Sequence, residues 1–417
     1  MAEPFWYKKG RMYCEDVPVA DIVRKLGTPL YLYSQSALVH QYRVFDEAFA
    51  PVPHLICYAV KANSNLAILS LFRALGSGFD VVSGGELRRA FAAGMDPKRI
   101  VFSGVGKTVD EIDLGLCRGI LQFNIESAAE LMMVAARARA LHRIANVALR
   151  VNPDVDSHTH PYISTGTREH KFGIAFDQAL PIYRRARRSR HLRITGVACH
   201  IGSQITVLEP FLSALGRIKE IFRCLRAEGV SVSNLDLGGG LGIVYHDEVP
   251  PRPAEYARAI IAAVRDLDCR LLLEPGRAIA GNAGILVTRV LVTKQTGARN
   301  FVVVDAGMND MMRPSLYGAH HRVQAVTLTR RAEWKADLVG PICESGDFLA
   351  RDRNMTRVRA NELLAIMSAG AYGFVLSSNY NTRARAAEVL VRGSRIKVIR
   401  RRESFPELVR GEALRPL

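Results

Sequence analysis

No stretch of this sequence approaches the roughly 20 uninterrupted apolar residues of a membrane span, and the opening MAEPFWYKKGRMYCED carries no apolar core of signal-peptide length. A cytoplasmic protein with no membrane partner is therefore expected. Cysteine is sparse and odd in number: Cys14, Cys57, Cys117, Cys199, Cys224, Cys269 and Cys343 make no CxxC pair and no Cys/His ligand spacing. That pattern argues against a disulfide framework and against a structural or catalytic metal. Internal repeats, low-complexity tracts and Pro/Ser-rich linkers are missing too, which excludes solenoids and flexible arrays. Acidic residues are outnumbered, 40 against 57 Lys and Arg, for a formal charge of +17. A nucleic-acid surface would concentrate that excess among aromatic residues. Here it is spread along the chain as arginine, and the densest run, Arg184-Arg185-Ala186-Arg187-Arg188-Ser189-Arg190, contains no aromatic and sits where a helix would precede a strand. It reads as a solvated helix face, and no nucleic-acid partner is expected.

What remains is an ordinary globular composition, 48% hydrophobic and 23% charged over 417 residues, long enough for two domains. From residue 55 to residue 275, short β-branched or aromatic runs alternate with stretches of helical spacing. The candidate strands are Leu55 to Val60, Phe79 to Val82, Ile100 to Ser103, Leu121 to Asn124, Val147 to Val151, Ile194 to Cys199, Leu235 to Leu237 and Arg270 to Leu273. Between them, Ala67 to Leu75, Glu86 to Ala93, Ser127 to Ala140, Phe211 to Arg226 and Tyr256 to Leu267 repeat apolar residues at helical intervals. Strand-helix units repeated in this way point to an α/β fold, a (β/α)8 TIM-like barrel more readily than an open doubly wound sheet. After Pro275 the texture changes to β runs at Ile285 to Val292, Phe301 to Val304, Ala325 to Leu328, Leu363 to Met367, Glu388 to Val391 and Ile396 to Ile399. The expected organisation is a barrel over 30–275, with 1–29 and 276–417 forming a second, mostly β domain.

Barrel enzymes build their sites at the C-terminal ends of the strands, so the polar residues that follow each run are candidates. Lys61 follows the first, in Tyr-Ala-Val-Lys-Ala-Asn, and His200 the sixth, in His-Ile-Gly-Ser-Gln. Gly238, Gly239, Gly240 and Gly242 follow the seventh, and Glu274-Pro275-Gly276-Arg277 the eighth. A lysine just past an apolar strand suits Schiff-base chemistry, because partial burial lowers its pKa; alone, it is more often a surface charge. A glycine cluster after strand seven lets backbone N–H groups approach a phosphate, whereas a tight turn needs one or two glycines and not four in five positions. Glu274 could keep a pyridine nitrogen protonated, and His200 could lie against the ring, though a core histidine satisfied by backbone is as good an account of His200 alone. Lysine, phosphate cradle, carboxylate and arginine at one mouth fit pyridoxal 5′-phosphate better than a nicotinamide or a metal.

The stretches YAVKAN, FDVVSGGEL, NPD with KFGI downstream, HIGSQ, GGGLGI, EPGR, MNDMMRPSLYGAHH, CESGD, SAGAYG and NYN with RAAEVLV run in order from about residue 28 to about residue 400. Together they resemble the diaminopimelate decarboxylase family, fold-type III pyridoxal-phosphate enzymes whose barrel and β domain are alanine racemase-like. The resemblance implies that Lys61 holds the cofactor covalently, that His200 stacks on its ring, that Ser203 with Gly238, Gly239 and Gly240 holds its phosphate, and that Gly276 and Arg277 also bind the cofactor. It implies Glu274 at the pyridine nitrogen, and Arg277, Arg313 and Tyr317 at the substrate's distal carboxylate. Glu344 would meet the distal amine, and Tyr372 would reach cofactor and substrate together. Cys343 would donate a proton from the neighbouring subunit of a homodimer with shared sites.

The activity so implied is decarboxylation of meso-2,6-diaminoheptanedioate to L-lysine and carbon dioxide, the last step of lysine biosynthesis by that route. A sister decarboxylase of ornithine, arginine or carboxynorspermidine is the nearest alternative. Arg313 and Tyr317 beside Glu344 suit a distal end bearing both a carboxylate and an amine, whereas ornithine needs an acidic partner for its ammonium. Glu274 argues against a racemase, in which an arginine meets the ring nitrogen. A non-catalytic carrier of the cofactor is the alternative of another class; it would need only the barrel.

Overall fold

The computed structural model describes residues 3–155 and 171–414. The chain divides into two compact units, Val39–Ile243 with Glu248–Ala278, and Met1–Leu38 with Val244–Asp247 and Ile279–Leu417.

The first unit is a closed barrel of eight parallel strands: β1 His54–Ala59, β2 Gly78–Val81, β3 Ile100–Phe102, β4 Gln122–Ile125, β5 Ala145–Asn152, β6 Leu192–Ala198, β7 Asn234–Asp236 and β8 Arg270–Leu273. Each pairs with the next, and Leu272 opposite Leu55 joins β8 back to β1. All eight expected runs lie within two residues of these bounds. Each of the first seven strands is followed by a helix of nine residues or more, while β8 is followed by a single turn, Arg277–Ala280. Helix starts are set by capping residues in the loops after the strands. Asn65, Ser83 and Ser127 accept from N–H groups of the first turn, and Thr108 with Glu111 forms a reciprocal capping box. Each cap stabilises its helix by about 1 kcal/mol and fixes where the loop at the barrel mouth ends.

Side chains alternate along each strand, so every second residue points inward. Low in the barrel these are Leu55, Cys57, Val101 and Leu272, a fully apolar cluster. Higher up they are polar: buried Asp80, Gln122, Asn124, Asn234 and Asp236. Gln122 donates to Asn124 at 2.9 Å and accepts from Asn234 at 3.1 Å and from Thr195 at 2.8 Å, so its amide is satisfied within the barrel.

The second unit centres on Leu30–Ser34, which is buried throughout and paired on both edges. It runs antiparallel to the long strand Gly284–Thr296 and parallel to Ala387–Arg392. Leu30 and Leu32 join Val19, Ile22, Ile285, Val287 and Val389 in a core, while Tyr31 and Tyr33 point the other way, their hydroxyls donating to the Asp310 carbonyl and to Glu388. The division therefore falls after Leu38 and not at residue 29, because the alternation Leu-Tyr-Leu-Tyr is that of a central strand in this sheet. Two further strands, Glu333–Val339 and Phe348–Thr356, escaped the sequence reading because charges at Lys335, Asp337, Arg351 and Arg353 break their apolar alternation. The run expected at Ala325 to Leu328 is instead a short strand, Val323–Ala325. Among the described residues no helix is long and apolar enough to cross a membrane.

Candidate active site

Lys61 lies in a single helical turn, Val60–Ala62, directly after β1, with its side chain one-third exposed. Its ammonium is hydrogen-bonded to Asp80, whose carboxylate is fully buried on β2 and whose second oxygen has no hydrogen-bond partner among the described residues. With Ser103, Asn124, Arg150, His200 and Glu274, Lys61 lines a cavity of about 250 Å3 at the C-terminal end of the barrel.

Glu274, just past β8, is buried, and Ser103 and Asn124 donate to it at 3.4 Å each. Burial raises its pKa well above the carboxylate range, and the nearby Asp236 and Asp80 raise it further. Asp236 on β7 is likewise pushed up by burial, although Asn124 donates to it at 2.9 Å. The two carboxyls share a hydrogen bond, which pushes Glu274 further up and holds Asp236 down. His200, half-buried, has its pKa lowered well below the ordinary value by burial, with Arg150 and Lys61 adding to the effect. Its Nδ1 accepts from the Gly239 N–H at 3.2 Å, which fits a neutral ring with its proton on Nε2.

The loop after β7 could not be built from other residues. Gly238 and Gly240 have φ of 64° and 113°, and a Cβ on Gly239 would lie 2.3 Å from the Glu274 carbonyl oxygen. Gly276 is equally confined, 2.9 Å from the Ala62 Cβ. Beside them, buried Arg277 donates to Ser203 at 3.1 Å. A neutral imidazole, a buried carboxyl, a lysine and a glycine cradle fit pyridoxal phosphate: ring, ring nitrogen, aldehyde and phosphate each find a group of matching chemistry.

The structure places the remaining expected residues in the second unit. Arg313 is buried at the start of the short helix Arg313–Tyr317, and its guanidinium lies 5.8 Å from the Tyr317 ring centroid. Cys343 and Glu344 are exposed on one turn, where Asn381 accepts from the Cys343 N–H at 2.8 Å and the Tyr380 hydroxyl donates to Glu344 at 3.3 Å. Tyr372 has a left-handed backbone, φ 55°.

Sequence reasoning passed over Asp80, Asn124, Arg150 and Asp236. Each is a polar residue on a barrel strand, and the period-two pattern alone could have marked them as inward-facing. It also passed over Glu126, which accepts from Gly104 N–H, Gly173 N–H and Arg150 at 3.1, 2.8 and 2.9 Å and so ties the ends of three segments together.

The sequence profile described as "Pyridoxal-dependent decarboxylase, pyridoxal binding domain" matches residues 35–281. The diaminopimelate decarboxylase of Pseudomonas aeruginosa is 52% identical over 414 residues, covering 99% of this chain and 100% of its own length. The chain belongs to the diaminopimelate decarboxylase family. Among solved structures, diaminopimelate decarboxylase from Helicobacter pylori complexed with L-lysine superposes with a TM-score of 0.91 at 41% identity, covering 94% of this chain and 98% of that one. Diaminopimelate decarboxylase from M. jannaschii in co-complex with L-lysine superposes with a TM-score of 0.94 at 37% identity, over 99% and 98% of the two chains. Membership of the diaminopimelate decarboxylase family agrees with the barrel, the mostly β unit and the cofactor expected from the sequence.

Proposed function

We propose that this chain decarboxylates meso-2,6-diaminoheptanedioate at its D-configured centre, releasing carbon dioxide and L-lysine. The observation that carries this reading is the cavity in which Lys61, His200 and buried Glu274 meet at the barrel mouth, in a chain near-identical in extent to a diaminopimelate decarboxylase.

Lys61 would hold the cofactor through its side-chain amine, and Asp80, hydrogen-bonded to that nitrogen, would orient it. When bound, pyridoxal phosphate supplies an electron sink for the pair left on the α-carbon as carbon dioxide departs. Glu274 keeps a proton at the ring nitrogen, and the neutral face of His200 adds no charge against the ring. Ser203, Gly238, Gly239, Gly240, Gly276 and Arg277 hold the phosphate, and Tyr372 reaches cofactor and substrate. Arg277, Arg313 and Tyr317 bind the distal carboxylate and Glu344 the distal amine. Cys343, contributed by the partner chain of a homodimer, returns a proton to the α-carbon. The enzyme works in the cytoplasm.

Carbon dioxide release from meso-diaminopimelate, with L-ornithine as control, tests the reading. Turnover of the first and not the second is expected; equal turnover of ornithine would replace the substrate assignment.

A further inference from the structure

Arg313 is held from several sides in a way that selects which edge of its guanidinium can meet a ligand. Its Nε–H donates to Nε2 of His321 at 3.3 Å. The guanidinium lies 5.2 Å from the centroid of the Tyr245 ring and 5.8 Å from that of Tyr317. His321 is fully buried, and Tyr245 packs against it edge to face, with ring centroids 5.1 Å apart and planes at 77°. The local chain explains how residues eight apart meet. The helix Arg313–Tyr317 ends at Gly318 in a left-handed conformation, φ 60°, which turns the chain back toward its own start.

The other imidazole nitrogen fixes the proton. Nδ1 of His321 lies 2.8 Å from the Met367 carbonyl oxygen. A carbonyl only accepts, so Nδ1 carries the hydrogen and Nε2 presents a lone pair, which is what the Arg313 Nε–H requires. A ring protonated at both nitrogens would set N–H against N–H and add a second cation beside the guanidinium. His321 is thus a neutral, oriented acceptor braced at its far end by backbone.

An arginine can offer a carboxylate either its Nε and one Nη or its two Nη nitrogens. With Nε engaged by His321, a carboxylate meets Arg313 through the Nη edge. We propose that His321, backed by Tyr245, is a positioning residue for substrate recognition: it selects the Nη edge of Arg313 and fixes the plane in which the distal carboxylate is bound. The proposal rests on the reading of Arg313 as a ligand of that carboxylate.

Two polar substitutions separate positioning from packing. Asparagine places its amide near the position of Nδ1 and keeps a donor for the Met367 carbonyl, but falls short of Arg313. Glutamine reaches the position of Nε2 and offers Arg313 an acceptor. In the holoenzyme, His321→Asn should raise KM for meso-diaminopimelate by about tenfold or more, the scale of one hydrogen bond to a charged group, with kcat changed by less than about threefold. His321→Gln should bring KM back to within about threefold of the parent. Adding either change to Arg313→Leu should have no further effect on KM, because the group being positioned is gone. Equal KM values for the two His321 variants, or effects additive with Arg313→Leu, would overturn the positioning role. If Arg313→Leu itself leaves KM unchanged, the assignment of Arg313 to the carboxylate fails, and that outcome is distinct from failure at His321. Cofactor absorbance and melting temperature, measured for every variant, verify that the folded holoenzyme is being compared. Should His321→Asn fail to fold, Tyr245→Leu takes its place, with the same rise in KM expected and an unchanged KM counting against the proposal.

Discussion

At the barrel mouth, Asp80, Asp236 and Glu274 are buried on or just past the strands and bonded to one another's neighbours, whereas in the β-rich unit Cys343 and Glu344 stand exposed on a turn held by Asn381 and Tyr380. Barrel strands fix their inward residues to a spacing that cannot slip without turning every side chain around. The turns of the second unit reach their geometry by less favourable means. Ser368, Tyr372, Asn381 and Thr382 all have positive φ, each a conformation that costs non-glycine residues of order 1 kcal/mol or more. On the proposed reading, rigid elements would serve the part of the reaction common to many substrates, and shaped loops the part that tells one substrate from another.

The comparison can be broken most severely at Lys61. Lys61→Ala should cost at least about a thousandfold in activity, the protein should lose its yellow colour, and borohydride should no longer fix cofactor to the chain. Peptide mapping of parent enzyme that places the reduced adduct on another lysine would remove the barrel mouth from the mechanism. The exposed turn is tested by mixing. Cys343→Ala alone should be inactive, but co-refolding it with Lys61→Ala should recover about a quarter of the parental activity, because half the dimers are mixed and each carries one intact site of two. A mixture as inactive as its parents would show that Cys343 serves its own chain or has no catalytic role.

Arg313 sharpens the contrast, because it is a buried group in the unit whose other candidates are exposed, as Cys343 and Glu344 are, or half-buried, as Tyr317 and Tyr372 are. Arg313→Leu should leave the cofactor spectrum intact and lower kcat/KM for diaminopimelate by about a hundredfold, as expected for losing a charge-assisted contact of roughly 3 kcal/mol. Unchanged kinetics would exclude it from the site. How legible such residues are in the sequence follows from the same contrast. Lys61, His200, Gly238 to Gly240 and Glu274 could be picked out before any resemblance was invoked, since each follows a short apolar run and barrel geometry says what belongs there. Arg313, Tyr317, Cys343, Glu344 and Tyr372 follow no such periodicity, so only the resemblance singled them out. His321 ends the stretch MNDMMRPSLYGAHH but was given no role, and Tyr245 was singled out by neither reading, because a hydrogen bond from Arg313 to His321 depends on how a glycine-capped turn folds back. The strand Leu30–Ser34 was read into the barrel because alternation along a strand does not say which sheet receives it.

The smallest expected effect concerns stability and asks whether buried carboxyls in the two units behave alike. Asp310 in the β-rich unit is almost fully buried, one of its oxygens has no hydrogen-bond partner, and the other accepts from the Gly307 N–H at 3.1 Å. Burial raises its pKa from the ordinary value to about 7, against the opposing pull of that hydrogen bond and of Arg383. Between an unfolded pKa near 4 and this folded value, the folded chain binds a proton that the unfolded chain has released. Stability from this group is therefore fully present below about pH 4, and declines as the pH rises toward 7. Unlike Glu274, which is hydrogen-bonded to Asp236, Asp310 has no carboxyl hydrogen-bonded to it among the described residues. Asp310→Asn keeps an acceptor for Gly307 and removes the titration. Relative to the parent, the variant should gain about 2 kcal/mol in unfolding free energy between pH 5 and pH 8, measured by urea denaturation at both values. A difference between variant and parent that does not change with pH would mean that Asp310 stays ionised in the folded protein, and that its burial is compensated by the nearby arginines after all.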